Sequence, residues 1–371
     1  MAESGDSVYR ALSAGEKKKK KELFERPVKQ AAISPELTVA DLVEQMKGMS
    51  VQARNIGLCA TVLERMMADP DRPTVLLGLA GPLIAAGLRR VIRDLVASGV
   101  VDVVVSTGAI LYQDIYQARG FRHYQGQIDA DDTALRDLYI DRIYDTYVDE
   151  EKFWETDVWC GRVADKLKPG IHSSRDYLDS IGSQLDDDES IVRTCHKLGV
   201  PVFAPAINDS SIGIGLTHHH HRAVQEGRAP ISIDSIRDNY ELTQIVVKSK
   251  KTAAIYVAGG VPKNYINDSI VMSYIFGLER GHTYAIQCTT AVTQDGGLSG
   301  STLSEARSWG KIKKDADFAM AWVEPSVALP LLAGYVTGRG LAKGRPRLKF
   351  TWDGEILKEL KVGGAEKART K

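Results

Sequence analysis

A short segment near the end of the chain concentrates residues that can carry out chemistry on an amine. It reads Glu305-Ala306-Arg307-Ser308-Trp309-Gly310-Lys311-Ile312. A lysine amine that is desolvated, or that lies near other positive charge, can be neutral and attack an imine or carbonyl carbon to form a Schiff base. Trp309 offers a π face to a cationic amine, and Glu305 can bind an ammonium group or move a proton. Most lysines are surface residues, so this segment alone does not single out Lys311.

Glycine-rich and polar turns follow most of the predicted strands, where an open parallel sheet binds its ligands. Glycine lets a ligand approach the backbone closely, and the start of a helix can hold a pyrophosphate. Asp209 and Asp295 stand in such turns and can accept hydrogen bonds from ribose hydroxyls. No G-x-G-x-x-G follows the first strand, so turns and helix caps of an ordinary α/β sheet explain the pattern equally well. The turns are 78–81, 106–109, 208–211, 259–260, 289–291 and 295–297.

Two runs of basic or imidazole side chains suggest binding sites. Neighbouring residues on a strand or helix point in different directions, so at most two of the histidines His218 to His221 can share one ion. We interpret the histidine run as a partly exposed loop or helix start and predict no metal site. The basic run Lys17–Lys21 is interpreted as a solvated segment, with a partner-binding patch as the alternative.

The elements that position these residues alternate between apolar runs and helical patterns. Six apolar runs separated by helices predict an α/β, Rossmann-like fold with a mostly parallel sheet and helices on both faces. The predicted organisation is an irregular N-terminal arm (1–35), one large domain (36–340) with a helical insertion at 111–195, and a C-terminal extension (341–371). Asp353-Gly354 predicts a small hairpin in that extension. The predicted strands are 74–77, 101–105, 200–204, 253–257, 284–288 and 318–323, and the predicted helices are 39–47, 51–68, 83–98, 231–247, 266–278 and 326–334.

Composition argues against several classes of protein. The 371 residues include 48 Lys plus Arg and 48 Asp plus Glu, so no net charge attracts nucleic acid or an anionic membrane. The four cysteines are far apart and form no C-x-x-C pair, which argues against a disulfide framework and a structural zinc site. The first thirty residues lack an apolar signal segment, and no run of eighteen apolar residues occurs. We therefore predict a cytoplasmic protein.

Four ordered motifs resemble the deoxyhypusine synthase family over about residues 27 to 336. The resemblance implies a Rossmann-like fold, bound NAD, and a homotetramer with active sites between paired subunits. It also implies transfer of an aminobutyl-type group from a polyamine such as spermidine, through an imine on Lys311, to an acceptor amine. The acceptor is a protein lysine in deoxyhypusine synthase and putrescine in the related homospermidine synthases. The motifs are 308–312, 259–263, 201–206 with 209–213, and 101–103 with Thr107.

Matching this chain to the family's motifs implies a role for each of eleven residues. The active-site positions around the nucleophile are Lys311, Trp309 and Glu305. Asn264 and Asn267 match substrate-binding positions. The implied NAD contacts are Thr107, Asp209, Thr290, Ala291, Asp295 and Glu324, the last replacing an aspartate.

The chain departs from the family's pattern where the amine is recognised. Asn264 stands in place of a catalytic histidine, and Ile214 and Leu298 replace two aspartates that bind ammonium groups. Gln113 replaces a glutamate, and Gly81-Pro82 replaces a polar pair. An unpaired buried ammonium is costly and asparagine is no base at neutral pH, so we predict a changed donor or acceptor amine. A homospermidine synthase-like enzyme and a non-catalytic NAD-binding relative are the alternatives.

Overall fold

Helices and strands alternate along residues 9–363, the part of the chain that the computed structural model describes. In chain order the strands are β1 (Thr74–Leu79), β2 (Val103–Ser106), β3 (Tyr124–Gln125), β4 (Ile140–Ile143), β5 (Thr146–Asp149), β6 (Gly170–His172), β7 (Val202–Phe203), β8 (Ile231–Ile233), β9 (Thr252–Val257), β10 (His282–Cys288), β11 (Ile312–Ala321), β12 (Leu348–Asp353) and β13 (Ile356–Val362). The helices are α1 (Ala14–Leu23), α2 (Val39–Met46), α3 (Val51–Ala68), α4 (Arg89–Ala97), α5 (Gly108–Ala118), α6 (Asp132–Asp137), α7 (Glu150–Ala164), α8 (Ser174–Gln184), α9 (Ile191–Leu198), α10 (Ser211–Gln225), α11 (Ser235–Lys248), α12 (Gly260–Met272) and α13 (Pro325–Gly338). Short 3-10 turns cover Ser273–Phe276 and Glu305–Arg307.

Six parallel strands form the central sheet in the order β11-β10-β9-β1-β2-β7. From β1, the chain adds β2 and then β7 on one side. It later adds β9, β10 and β11 on the other side of β1. The direction of growth therefore reverses between β1 and β9, which is the place where open α/β sheets bind ligands. The predicted Rossmann-like α/β fold with a parallel sheet is confirmed.

Buried side chains lie on both faces of this sheet. In β1, Val75, Leu77 and Leu79 join a cluster built with α3, α4 and α13, whereas Leu76 joins a second cluster with α11 and α12. All six residues of β1 are buried, which is why the strand reads as an unbroken apolar run. Helices therefore cover both faces, as predicted.

Two predicted helices begin at a different residue in the structure. The helix predicted at 83–98 begins only at Arg89, because residues 83–87 form turns that end at Gly87 with a φ of +85°. The helix predicted at 266–278 is α12, which begins at Gly260 directly after the glycine turn and gives way to a 3-10 turn after Met272. Residues 260–265 therefore belong to the helix α12 rather than to a loop.

A third predicted helix, 231–247, is divided by Asp234. The Asp234 carboxylate accepts hydrogen bonds from the backbone N–H groups of Ile236 and Arg237 and so caps the start of α11. The residues before it form β8, which pairs with β6 in parallel. The strand predicted at 318–323 also differs, since β11 already begins at Ile312.

The N-terminal arm contains a helix, so the expectation of an irregular segment is wrong for Ala14–Leu23. Ser13 and Glu16 form a reciprocal capping box that starts α1, and the Lys17–Lys21 run lies within it. None of its residues is buried. The insertion is also less purely helical than predicted, because β3, β4 and β5 form an antiparallel sheet within it.

The C-terminal extension folds onto the domain. Strands β12 and β13 form the predicted antiparallel hairpin around Asp353-Gly354. The Arg175 guanidinium stacks on the Trp352 ring at 4.0 Å. Arg345 is 5% exposed and lies 3.4 Å from the carboxylate of Asp102, and it also donates to backbone carbonyls that flank β1 and β2. Among the helices of residues 9–363, none is both long and apolar enough to cross a membrane.

Candidate active site

Lys311 is the residue immediately before the edge strand β11. Its carbonyl accepts from the N–H of His282 at the start of β10, and its own N–H donates to the carbonyl of Ala306. Gly310 precedes it with a φ of +69°, and a β-carbon there would lie 2.8 Å from the hydroxyl of Tyr274. A glycine is therefore required for the sharp entry into the strand.

The Lys311 amine points into the protein rather than into bulk water. Its Nζ lies 3.2 Å from Oδ1 of Asn264 and 3.3 Å from Oδ1 of Asp268. It also lies 5.5 Å from the centre of the Trp309 ring. The Lys311 side chain is 15% exposed, so the amine has exchanged most of its water for an amide, a carboxylate and an aromatic face.

Asn264 and Asp268 lie one turn apart on α12, so their side chains share a face of that helix. Nδ2 of Asn264 donates to Oδ2 of Asp268 at 2.9 Å, while the Asn264 carbonyl oxygen accepts from Lys311. Lys311, Asn264 and Asp268 thus form a closed network, which we call the lysine network. The predicted substrate residue Asn264 therefore touches the predicted nucleophile directly.

Lys263, the residue before Asn264, is a buried ammonium beside this network. It is 1% exposed, and its Nζ donates to the carbonyls of Leu298 and Ser301 and to the hydroxyl of Ser301 at 2.6 to 3.1 Å. The pKa of Lys263 is lowered to about 8, chiefly because burial disfavours the charged form; Glu305 acts to raise this pKa and Lys311 to lower it. At neutral pH Lys263 still carries a positive charge near Lys311.

The other two predicted catalytic residues lie toward the solvent. Trp309 is 66% exposed, and Glu305 is exposed at the start of its 3-10 turn. Glu305 is close enough to influence Lys263 electrostatically. The structure thus brings the predicted catalytic residues to one place, with the amine shielded and its two companions facing outward.

The carboxyl ends of β1, β2 and β9 form the edge at which the sequence predicts a cofactor. Two helices start there without a side-chain cap, namely α5 after Thr107 and α12 after Gly259. The first N–H groups of α5 can therefore bind a phosphate, whereas at α12 the N–H of Gly260 already donates to the Ser299 hydroxyl and Pro262 has none, which leaves the N–H of Val261. Gly260 has a φ of +62°, and a β-carbon there would lie 3.7 Å from that of Ala80 beside the point where the sheet order reverses. These donors and this glycine surface fit the pyrophosphate of a dinucleotide.

Asp209 is the predicted cofactor residue beyond β7. It is exposed and lies just before Ser210, which caps α10 through the N–H of Gly213. Its carboxylate is accordingly free to accept from ribose hydroxyls. Helix α10 is held in place by a close contact with α7, where a β-carbon on Gly161 would lie 2.6 Å from the carbonyl oxygen of Gly215.

The remaining predicted cofactor residues follow β10 and β11. Thr290 is exposed, and the N–H of Ala291 donates to the hydroxyl of Thr289. Asp295 accepts from the N–H of Gly297 in a turn, so one carboxylate oxygen is used locally. Glu324 caps α13 by accepting from the N–H of Ser326. Thr107, Thr290 and Asp295 all follow strands at the carboxyl edge of the sheet. Glu324 serves as the N-cap of α13.

Asn267 is the predicted site residue that faces inward. It is 2% exposed, and its side-chain oxygen accepts from the hydroxyl of Tyr256 at 2.8 Å. That hydrogen bond ties α12 to β9. Its assignment as a substrate contact stays a prediction, and the contact in the structure is one that fixes the helix carrying Asn264.

The residues at the positions that depart from the family pattern have uncharged side chains. Ile214 is 51% exposed on α10, and the carbonyl of Leu298 accepts from Lys263. Gln113 is 8% exposed and accepts from the N–H of Ala85, in the turn that follows β1. Around Lys311, the carboxylate in direct contact with the amine is Asp268, which the sequence reasoning missed. Its spacing of four residues from Asn264 was the available signal.

The histidine run lies in the middle of α10, not in a loop or at a helix start. His219 is 2% exposed, pairs with Asp165 at 2.7 Å and accepts from the N–H of Ile231. It therefore packs the helix against its neighbours. Within residues 9–363, no three His, Cys, Asp or Glu side chains are grouped to hold a metal ion. All four cysteines are free and buried.

A six-stranded parallel sheet with helices on both faces, and a shielded lysine beside its edge strand, defines a Rossmann-like α/β protein. The family model for deoxyhypusine synthase matches residues 41–336. The chain belongs to the deoxyhypusine synthase family.

Relatives and solved structures agree with this assignment. The chain is 42% identical over 335 residues to a deoxyhypusine synthase-like protein of Chlorobaculum tepidum, covering 88% of this chain and 94% of the relative. It is 38% identical over 322 residues to a probable deoxyhypusine synthase 2 of Methanosarcina mazei, covering 85% and 92%. A crystal structure of a putative deoxyhypusine synthase from Entamoeba histolytica matches with a TM-score of 0.56 at 16% identity, covering 84% and 97%. The last match supports the fold.

Proposed function

We propose that this protein is an NAD-dependent transferase that moves an aminobutyl-type group between amines through an imine on Lys311. The observation that carries this proposal is the Lys311 amine, 15% exposed and in contact with Asn264, Asp268 and the ring of Trp309. An amine held in this way has a defined direction of attack and little competing water.

The lysine network and Lys263 hold the proposed nucleophile in a defined position. The buried ammonium of Lys263 ties the start of α12, which carries Asn264, to the carbonyls of Leu298 and Ser301. Asn264 accepts one N–H of Lys311 and so orients the lone pair. The neutral amine adds to the imine carbon of the oxidised donor, the bond from that carbon to the leaving amine breaks, and the proton of Lys311 departs with the leaving amine. The carbon then remains attached to Lys311 as an imine.

The second amine reverses this exchange. It attacks the same carbon, the bond to Lys311 breaks, and Lys311 returns to its free form. NAD, when bound, would supply the acceptor and later the donor of the hydride, so that no net oxidation results. In this proposal the N–H groups at the start of α5 and the N–H of Val261 on α12 hold its pyrophosphate, and Asp209 and Asp295 accept from its riboses. Thr107, Thr290, Ala291 and Glu324 complete the proposed contacts.

The amine substrate is proposed to differ from that of deoxyhypusine synthase. Ile214 and Leu298 leave two carboxylate positions apolar, and Asn264 replaces a histidine. A polyamine with several ammonium groups needs a carboxylate for each group that loses water. The site therefore fits a smaller or less charged donor or acceptor. Assembly into a homotetramer, which the family resemblance implies, is proposed as well.

Trapping the imine tests this proposal. Purified protein is incubated with NAD and, in separate samples, spermidine, putrescine or agmatine, and is then reduced with borohydride and digested. Mass spectrometry should find the added group on the peptide that contains Lys311. Lys311→Arg should abolish the adduct, whereas Lys313→Arg, two residues further on an exposed part of β11, should keep it.

The products separate the proposal from its alternatives. Free homospermidine formed with putrescine would identify a homospermidine synthase-like enzyme. An intact protein that binds NAD but leaves Lys311 unmodified with all three amines would contradict the transferase and favour the non-catalytic relative.

A further inference from the structure

Asp268 is the carboxylate that contacts the Lys311 amine, and it differs from Lys311 in its access to solvent. Its side chain is 39% exposed, against 15% for Lys311. Oδ1 faces Lys311 and Oδ2 accepts from Asn264. A carboxylate offers about four lone-pair positions, so Asp268 retains capacity on its exposed side for another donor.

The ion pair occupies the Lys311 amine. Its Nζ lies 3.3 Å from Oδ1 of Asp268 and 3.2 Å from Oδ1 of Asn264, so these two oxygens hold the amine in place. Lys263 does not serve as a replacement partner for Asp268, because its ammonium is buried and already donates to three oxygen acceptors. A cation that arrives from solvent is therefore the group that can compete with Lys311 for Asp268.

We propose that Asp268 is the docking carboxylate for the cationic group of the amine substrate, and that the substrate frees Lys311 by replacing it as the partner of Asp268. This inference rests on the proposed function, since it names the residue that selects a cationic amine at that same site. When the substrate ammonium pairs with Asp268, the ion pair between Asp268 and Lys311 breaks, while Lys311 keeps its hydrogen bond to Asn264. No bond to carbon forms or breaks in this step.

The site gives the substrate cation a second surface beside Asp268. Trp309 is 66% exposed, and its ring already lies within cation–π distance of Lys311 Nζ. An ammonium group that reaches Asp268 from the solvent therefore meets both a carboxylate and an aromatic face. This chemistry selects a primary amine or a diamine and disfavours a neutral or acidic molecule.

Calorimetry with putrescine as the probe tests the exchange. The full chain, saturated with NAD, is titrated with putrescine. We expect Lys311→Met to bind putrescine at least as tightly as the unmodified protein does, because the variant has no amine that competes for Asp268. Asp268→Asn, which keeps the size of the side chain, should weaken putrescine binding about tenfold or more.

The two hypotheses fail in different ways. Equal putrescine affinity in Asp268→Asn and the unmodified protein, or tenfold weaker binding by Lys311→Met, would overturn the inference even if borohydride traps an adduct on Lys311. Loss of binding in Asp268→Asn together with an untrapped Lys311 would support the docking site while contradicting the transferase. No binding of putrescine, spermidine or agmatine by the unmodified protein would overturn the docking site itself.

Discussion

The Nζ atom of Lys263 lies 2.6 Å from the backbone oxygen of Ser301, so a buried ammonium joins the start of α12 to the segment that follows β10. The same nitrogen also reaches the carbonyl of Leu298 and the hydroxyl of Ser301. All three partners belong to one short segment. The helix that carries Asn264 and Asp268 is therefore tied to residues 298–301 by this side chain, together with the hydrogen bond from the N–H of Gly260 to the Ser299 hydroxyl.

Removing this ammonium should loosen both elements. Lys263→Met keeps most of the apolar stem of the side chain but removes a donor from three part-buried oxygens, of which the Leu298 carbonyl retains the Ser301 hydroxyl as a donor, and it should lower the free energy of unfolding by about 1 to 3 kcal/mol. Urea denaturation followed by circular dichroism measures the loss. Lys313→Met, at an exposed position, should stay within about 0.5 kcal/mol of the unmodified protein. Similar stabilities for the two variants would show that the Lys263 contacts contribute little.

Asn264 orients the nucleophile, and its replacement should affect reaction more than folding. Asn264→Ala removes both the acceptor for Lys311 and the donor to Asp268. We expect imine trapping on Lys311 to slow about tenfold, with the unfolding midpoint nearly unchanged because the side chain is only half-buried. Asn264→His, which restores a ring nitrogen at this position, should recover part of the rate. An unaltered trapping rate in Asn264→Ala would remove the orienting role.

The free carboxylate of Asp209 provides a test for the proposed cofactor edge. Asp209→Ala should weaken NAD binding about tenfold, since two hydrogen bonds from ribose hydroxyls to a charged acceptor would be lost. Titration of NAD monitored by calorimetry gives the affinity. Asp186→Ala is a suitable control, because the Asp186 side chain is 97% exposed on the segment before α9. Equal affinities in the two variants would move the proposed ribose site elsewhere.

Asp238 should make stability depend on pH. It is fully buried on α11, its Oδ1 accepts from the N–H of Ser174, and no partner for Oδ2 is found among residues 9–363. Burial raises the pKa of Asp238 to about 7, well above its ordinary value of 3.8. Between these two values the folded protein holds a proton that the unfolded chain has lost, so the free energy of unfolding falls as pH rises from about 4 to 7.

Asp238→Asn stays neutral across this range and keeps an oxygen for Ser174. Its free energy of unfolding relative to the unmodified protein should therefore rise by about 2 to 3 kcal/mol between pH 5 and pH 8. Urea denaturation at the two pH values measures the change. A difference that is constant with pH would show that Asp238 titrates normally in the folded protein.

The sequence predicted the sheet well because each central strand is buried on both faces and reads as an unbroken apolar run. It predicted helix starts less well, since these depend on backbone conformation. Gly87 and Gly260 adopt positive φ values, and they decide where α4 and α12 begin. A single residue, Asp234, divides a pattern that otherwise reads as one helix.

The candidate site was predictable where a motif places residues close together in the chain, as for Glu305, Trp309 and Lys311. Asp268 and Lys263 escaped notice because their contacts join residues 35 to 43 positions apart, and the spacing of Asp268 from Asn264 indicates only that these two share a face of one helix. Asn267 illustrates the converse case. Its position matched a substrate residue, yet the side chain turns inward to Tyr256.

Because Arg345 contacts the domain, the C-terminal extension matters when the chain is shortened for expression. This arginine neutralises Asp102 together with Arg72, and it fills the hydrogen-bonding capacity of the carbonyls of Gly99 and Pro73. An expression fragment that ends near residue 336 would lack this cation and leave Asp102 with Arg72 as its remaining ion-pair partner. Such a fragment should unfold at a lower urea concentration than the full chain does.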